Sequence, residues 1–518
     1  MDCLFKLSLF HIIILCFVFC VFCDQPSVKT KLGTVRGNRK TVTFRDIRKE
    51  VDEYLGIPFA KPPVGELRFK KPLPAEPFTE PLDATEFKSS CPQHSLDVSV
   101  LTVRSTNEDC LYLNVYVPVA GASDKPAGRA VMVWIYGGGF AFGSASVYEA
   151  STLASYGDVI VVTINYRVGL YGFLNIGDER AAGNMGLFDQ HQALKWVNEN
   201  IGAFGGDNSR VTIFGESAGG TSVSMQSVYP PNRGLFQNAI CESGTITMPF
   251  VISQKDTVES AKFVAEQLGC NTDTIDTVFS CLQNADVERV INLFEEVSKD
   301  IQNTVKISFT TTADGEFVDI NYREPESERL KFFQELNVIS GTNGQEGLMW
   351  SMGLGGSQEQ EAIDNITVTS DAMKTSFIPM MFGMNYYGKE LTDPVRDLIA
   401  LEYTDWENYG GNMRDAYVKL TGDLFFNVPS TELGQLHANG SNSNTWMYSF
   451  RYRLDLPLLP YPSWGKYANH GDEVAAVFGY AIDVELIHPD KKGYRPPESE
   501  LDLSEIMMTA WTNFAKTG

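Results

Sequence analysis

The sequence predicts an α/β fold, a large central and mostly parallel sheet flanked by helices. Two observations carry this expectation. Short apolar runs rich in β-branched residues recur along the chain and are bounded by Gly, Asn or Asp, as strands buried on both faces are. Stretches of helical periodicity lie between them, and strands that alternate with helices assemble into parallel sheets.

In chain order the strand runs are VMVWIY (131–136), VIVVTINY (159–166), VTIF (211–214), AICES (239–243) and NVISG (337–341). The clearest helix is expected from Asp189 to Ile201, where Leu194, Val197 and Ile201 share a face and Gly202 supplies a stop signal. A hydrophobic content of 43% over 518 residues suffices for a large core. No internal repeat or low-complexity linker divides the chain, so residues 24–518 read as one domain with surface insertions. Within it GLGGSQEQEAIDNIT (353–367), rich in Gly and acid and poor in periodicity, reads as a mobile loop.

The apolar run LSLFHIIILCFVFCVFC (7–23) follows Lys6 and gives way to polar sequence, which predicts a cleaved secretory signal over residues 1–23. A retained membrane anchor is the alternative, since the run is nearly long enough to span a bilayer. Either way the chain is expected in the secretory pathway or outside the cell. Asn365 and Asn439 each begin an N-x-S/T sequon and are candidate glycosylation sites. Beyond the signal stand Cys91, Cys110, Cys241, Cys270 and Cys281, an odd number. The nearest pairs in sequence are Cys91 with Cys110 and Cys270 with Cys281, although counting leaves other connectivities open. No CxxC and no metal-ligand spacing occurs, so neither a metal nor a cofactor is expected. The formal net charge of -23 excludes nucleic acid, whose recognition needs clustered cations. That acidity reads as a soluble, self-repelling surface, with steering of a cationic substrate as the lesser reading.

The chemistry concentrates in RVTIFGESAGG (210–220), which places Gly215, Ser217 and Gly219 in a G-x-S-x-G pattern between a strand and a helix-like segment. The pentapeptide is weak alone, but a sharp strand-to-helix turn needs small neighbours and holds the Ser217 hydroxyl clear of the sheet as a nucleophile. Directly after the strand VMVWIY come Gly137, Gly138 and Gly139. Such a run lets backbone N–H groups converge, so Gly138, Gly139 and the N–H of Ala218 are the candidate oxyanion hole for acyl transfer. Of six histidines, His470 in YANHGDEVAAVFG best fits the base, late in the chain and ahead of an apolar helix pattern. Glu346 in NVISGTNGQEGLMW lies between the two after a strand and could fix the imidazole, but from composition alone a surface glutamate is the commoner reading.

The segments YLGIPFAKPPVGELRF, EDCLYLNVYVP, WIYGGGF, NYRVGLYGFL, GNMGLFDQHQALKWVNENIGAFGGD and FGESAGG together resemble the type-B carboxylesterase and cholinesterase family, an α/β-hydrolase fold. The resemblance is dense over 27–245 and returns at GTNGQEG, NHGDE and MTAWTNFAKTG. It implies Ser217 as nucleophile, Glu346 as acid, His470 as base, Gly138, Gly139 and Ala218 as the hole, and disulfides Cys91–Cys110 and Cys270–Cys281. A small-molecule carboxylic ester is the implied partner. Two departures matter. Cholinesterases hold choline against a tryptophan in the first disulfide loop, whereas residues 92–109 contain no aromatic, which favours a carboxylesterase over a cholinesterase. The family also continues past WTNFAKTG, so a chain cut short at Gly518 is expected, and any anchor or oligomerisation segment beyond it is not represented. A catalytically silent adhesion domain like the neuroligins is the rival from another class.

Overall fold

The structure, a computed structural model, describes residues 25–93, 105–119, 128–249, 251–253, 257–298, 309–351, 360–383, 391–406, 410–440, 442–480, 491 and 493–518. The expected signal (1–23) lies outside them, as do His94 and His488.

Nine strands form the central sheet: β1 (Asn38–Phe44), β2 (Ile47–Pro58), β3 (Tyr112–Pro118), β4 (Arg129–Ile135), β5 (Ile160–Ile164), β6 (Gly206–Glu216), β7 (Asn238–Glu242), β8 (Asn337–Asn343) and β9 (Thr445–Phe450). Their spatial order is β9-β8-β7-β6-β4-β5-β3-β2-β1. From β9 to β5 neighbours run parallel, and β3, β2 and β1 extend the sheet antiparallel. All five expected strands are present. β5 and β7 are buried at every position and β4 at all but its first, which is why apolar residues dominate them. β2, by contrast, opens with four exposed residues, Ile47 to Glu50, before entering the core.

Five helices bear on the site: α1 (Ser151–Gly157), α2 (Met185–Asn200), α3 (Ala218–Ser227), α4 (Asp472–Val477) and α5 (Glu498–Thr517). α1 packs with α5 and α2 with α3, while α3 and α5 also lie against β4 and β6. α2 begins before the expected Asp189, because that residue is not a cap. It is fully buried and receives two bonds from the Arg167 guanidinium, Nε to Oδ2 and Nη2 to Oδ1, each 2.7 Å. The helix also stops earlier. A 3₁₀ turn, Ile201–Phe204, follows it, and Gly205, left-handed at φ 84°, ends the segment in place of Gly202. Of the stretch expected to be a loop, residues 353–359 fall outside the described set, and Gln360–Asp364 is a short helix that buries Ile363.

Both expected disulfides are formed and Cys241 is free and buried. No helix among the described residues is long and apolar enough to cross a membrane. Register then fixes where chemistry can occur. Ile135, Gly215, Cys241 and Ser340 stand side by side across β4, β6, β7 and β8, so the carboxyl ends of these strands finish at one level. Loops leaving that level share one rim.

Candidate active site

Ser217 joins β6 to α3 with φ 57° and ψ −124°, a conformation that costs about 1–3 kcal/mol for a residue with a side chain. Its surroundings enforce it. The Ser217 N–H donates to Glu242 O at 2.8 Å, and its carbonyl accepts from Thr221 N at 2.9 Å. A Cβ on Gly215 or Gly219 would lie 2.4 or 2.0 Å from Ile135 O, which explains why the pattern needs glycine on both sides. The turn leaves the serine half-buried in an otherwise closed environment.

After β4 the chain turns through Gly138 (φ 111°) and Gly139 (φ 62°). A Cβ on Gly138 would meet Phe142 O at 2.2 Å, whereas Gly139 faces open space. Among the described residues no acceptor takes the N–H of Gly138, Gly139 or Ala218, and the last of these opens a helix whose first N–H groups are unpaired by geometry. These three donors therefore stand free beside the serine turn.

Glu346 follows β8 and is buried. Its Oε2 accepts from His470 Nδ1 at 2.7 Å, while Oε1 accepts from Ser243 Oγ and Asn343 N, both at 2.5 Å. The imidazole is thus held by a carboxylate that is itself held from behind. The His470 loop is pinned in turn: Asn343 Nδ2 donates to Asn469 O at 2.7 Å, and Asn469 N donates to Asp472 Oδ2 at 2.6 Å. A π-helical turn, Asp423–Asn427, places the Phe426 ring 4.5 Å from the imidazole centroid. Such turns recur where a helix must present a side chain to a site.

The structure brings Glu346 and His470 together and leaves the link to Ser217 unmade. His470 Nε2 is buried without a hydrogen bond and lies 3.1 Å from Glu216 Oε1. Sequence reasoning missed Glu216, and it missed three further buried acids: Asp472 and Glu473, on the segment that follows His470, and Glu242, which interacts with Glu216 and Glu473. A signal existed: Glu242 closes an apolar strand and Asp472–Glu473 head an apolar helix, where solvated charge is out of place. Burial pushes Glu216 up to about 8 and Asp472 and Glu473 to about 7, and drives Glu242 well above the carboxylate range. Burial pulls His470 down, but the carboxylates of Glu216 and Glu346 more than offset it, and the group rises to about 9.

The remaining described histidines are structural. His191 Nδ1 pairs with Asn232 Oδ1 at 2.6 Å, and His437 satisfies both nitrogens, with Thr445 Oγ1 at 2.7 Å and Leu336 O at 2.8 Å. Asn365 and Asn439 are both exposed. A cleft of about 360 Å³ between Val28, Asp52, Tyr54 and Phe204 includes none of the site residues.

The carboxylesterase family model matches residues 24–518. Human carboxylesterase 3 is 36% identical over 95% of this chain and 83% of its own length, and pig liver carboxylesterase 35% over 96% and 86%. Mouse neuroligin-3 is 35% identical over 95% of this chain, which spans 62% of that protein's length. The nine-stranded sheet, with its serine turn and glycine loop at one rim, is an α/β-hydrolase fold, and the chain belongs to the carboxylesterase family.

Proposed function

We propose that this chain is a serine hydrolase of small carboxylic esters, acting through Ser217, His470 and Glu346. The observation that carries the reading is the 2.7 Å bond from His470 Nδ1 to a buried Glu346, which leaves Nε2 as the only ring nitrogen able to take a proton. In the free enzyme that nitrogen faces Glu216. With substrate bound it turns to Ser217, since catalytic contacts that are long in a free enzyme tighten in the complex. Ser217 Oγ attacks the ester carbonyl as His470 takes its proton, and the oxyanion is received by the N–H groups of Gly138, Gly139 and Ala218. The alcohol leaves with the proton from His470. Water then repeats the sequence on the acyl-enzyme and frees the acid. Glu346 keeps the proton on Nδ1 and balances the transient imidazolium.

Similarity to neuroligin-3 favours a second reading, the silent adhesion domain. A fluorophosphonate probe separates the two: the enzyme is labelled on Ser217 and the Ser217→Ala variant is not, whereas an unlabelled wild type refutes the esterase reading. Against a cholinesterase, uncharged thioesters are expected to turn over at least as fast as their thiocholine counterparts. The reading includes secretion behind a cleaved signal and glycans on Asn365 and Asn439, both checked by mass spectrometry of secreted protein.

A further inference from the structure

The loop that carries Gly138 and Gly139 is tethered at both ends. At its head the phenol of Tyr166 donates to Tyr136 O at 2.8 Å, and the phenol of Tyr136 donates back to Tyr166 O at 2.9 Å, the rings stacked 4.4 Å apart. At its tail stands Gln93, a buried side chain two residues past Cys91 that the proposed reaction does not use. Among the described residues its carboxamide bonds only to backbone: Nε2 donates to Gly143 O at 2.9 Å and to Cys91 O at 3.0 Å, and Oε1 accepts from Gly143 N at 2.8 Å. Gly143 is the end of the loop, at φ 129°, where a Cβ would lie 2.3 Å from the Tyr136 ring.

The clamp bears on the donors through the peptide plane. Gly138 O accepts from Ala141 N at 3.0 Å and from Phe142 N at 3.2 Å. That carbonyl and the Gly139 N–H belong to one trans peptide and point in opposite directions, so donors that fix the first aim the second. Those donors sit immediately before Gly143. A chain of contacts therefore runs from the Cys91–Cys110 disulfide through Gln93 to Gly143, and from there to the Gly139 N–H.

We propose that Gln93 is a positioning residue for the oxyanion-stabilising loop and that it ties this loop to the Cys91–Cys110 disulfide. The proposal rests on the reading of Gly138 and Gly139 as oxyanion donors. Donors aimed at an oxygen favour a developing oxyanion over the larger, weakly accepting sulfur of a thionoester, so the ratio of ester to thionoester turnover reports their alignment. Gln93→Met keeps the bulk and loses the bonds, and Gln93→Ala loses both. In each, kcat on the ester is expected to fall about tenfold to a hundredfold, below the ~10²–10³ that follows removal of a whole donor. KM should hold within about twofold and the oxo-to-thiono ratio should drop. Replacing the disulfide by Cys91→Ser and Cys110→Ser should lower the same ratio and add little in the Gln93→Met background, as coupled sites do. A partly unfolded sample lowers both rates equally, so an unchanged ratio in the soluble variants overturns the proposal. Should neither Gln93 variant be soluble, the double serine variant decides it by the same ratio. A wild type without turnover refutes the esterase reading instead.

Discussion

Replacing Glu346 by glutamine should abolish catalysis without removing a single contact atom. The two oxygens of Glu346 have different duties: Oε1 faces two donors, Ser243 Oγ and Asn343 N, and Oε2 faces His470 Nδ1. A glutamine must place its oxygen at one position and its NH₂ at the other. The Ser243 hydroxyl can rotate to accept, but the Asn343 N–H is part of the backbone and cannot, so the amide oxygen is forced to the Oε1 side. The NH₂ then faces Nδ1, which must become an acceptor, and the ring proton moves to Nε2. The base is lost to the wrong tautomer. A comparable change in a serine protease lowers kcat about 10⁴-fold. At 1.36 kcal/mol per decade that is about 5.4 kcal/mol of transition-state stabilisation. The assay is steady-state hydrolysis of a nitrophenyl ester, with KM expected to stay within about twofold. Imidazole ¹⁵N shifts should report the Nε2–H form. A kcat loss below about tenfold, or an imidazole that keeps its proton on Nδ1, would refute this reasoning.

Gly219→Ala drives a Cβ to 2.0 Å from Ile135 O and 2.9 Å from the Tyr136 backbone, neither of which can yield like a side chain. A loss of about 1–3 kcal/mol in thermal or denaturant unfolding is expected, and an unchanged midpoint would contradict the packing described. Trp511→Phe removes the donor that meets buried Glu242 Oε1 at 2.8 Å and should cost about 1–3 kcal/mol by the same measurement. Stability and activity should have opposite slopes with pH. Glu216 (about 8), Asp472 and Glu473 (about 7) and His470 (about 9) all bind protons more tightly folded than unfolded, so their contribution is present at low pH and lost as pH rises through these values. The melting temperature should fall from about pH 5 to about pH 9 while kcat/KM rises with loss of the imidazole proton, and a melting temperature that climbs across this window would contradict it.

The parallel half of the sheet was legible because β5 and β7 are buried at every position and carry mostly apolar residues, as strands covered on both faces do. The antiparallel half was not, since β2 opens on Ile-Arg-Lys-Glu facing solvent, and the parallel edge strand β9 was missed with it, because only Phe450 along its length is buried and periodicity has little to mark. At the site, Ser217 and the glycines could be read locally because backbone geometry demands those residue types. Glu346 could be named only as a candidate: its role depends on contact with a residue 124 positions away, and the family resemblance was needed to prefer it over a surface glutamate. Glu216, Ser243, Asn343 and Gln93 were missed for the same reason, as each acts across strands.

Because the serine turn, the glycine loop and the acid each leave a different strand of one sheet at a common level, none of them can keep its place once neighbouring strands part. On the proposed esterase reading, ester turnover would then double as an optical gauge of the native scaffold. A chromogenic ester would follow denaturation and refolding in a crude sample, with no purified protein or structural probe.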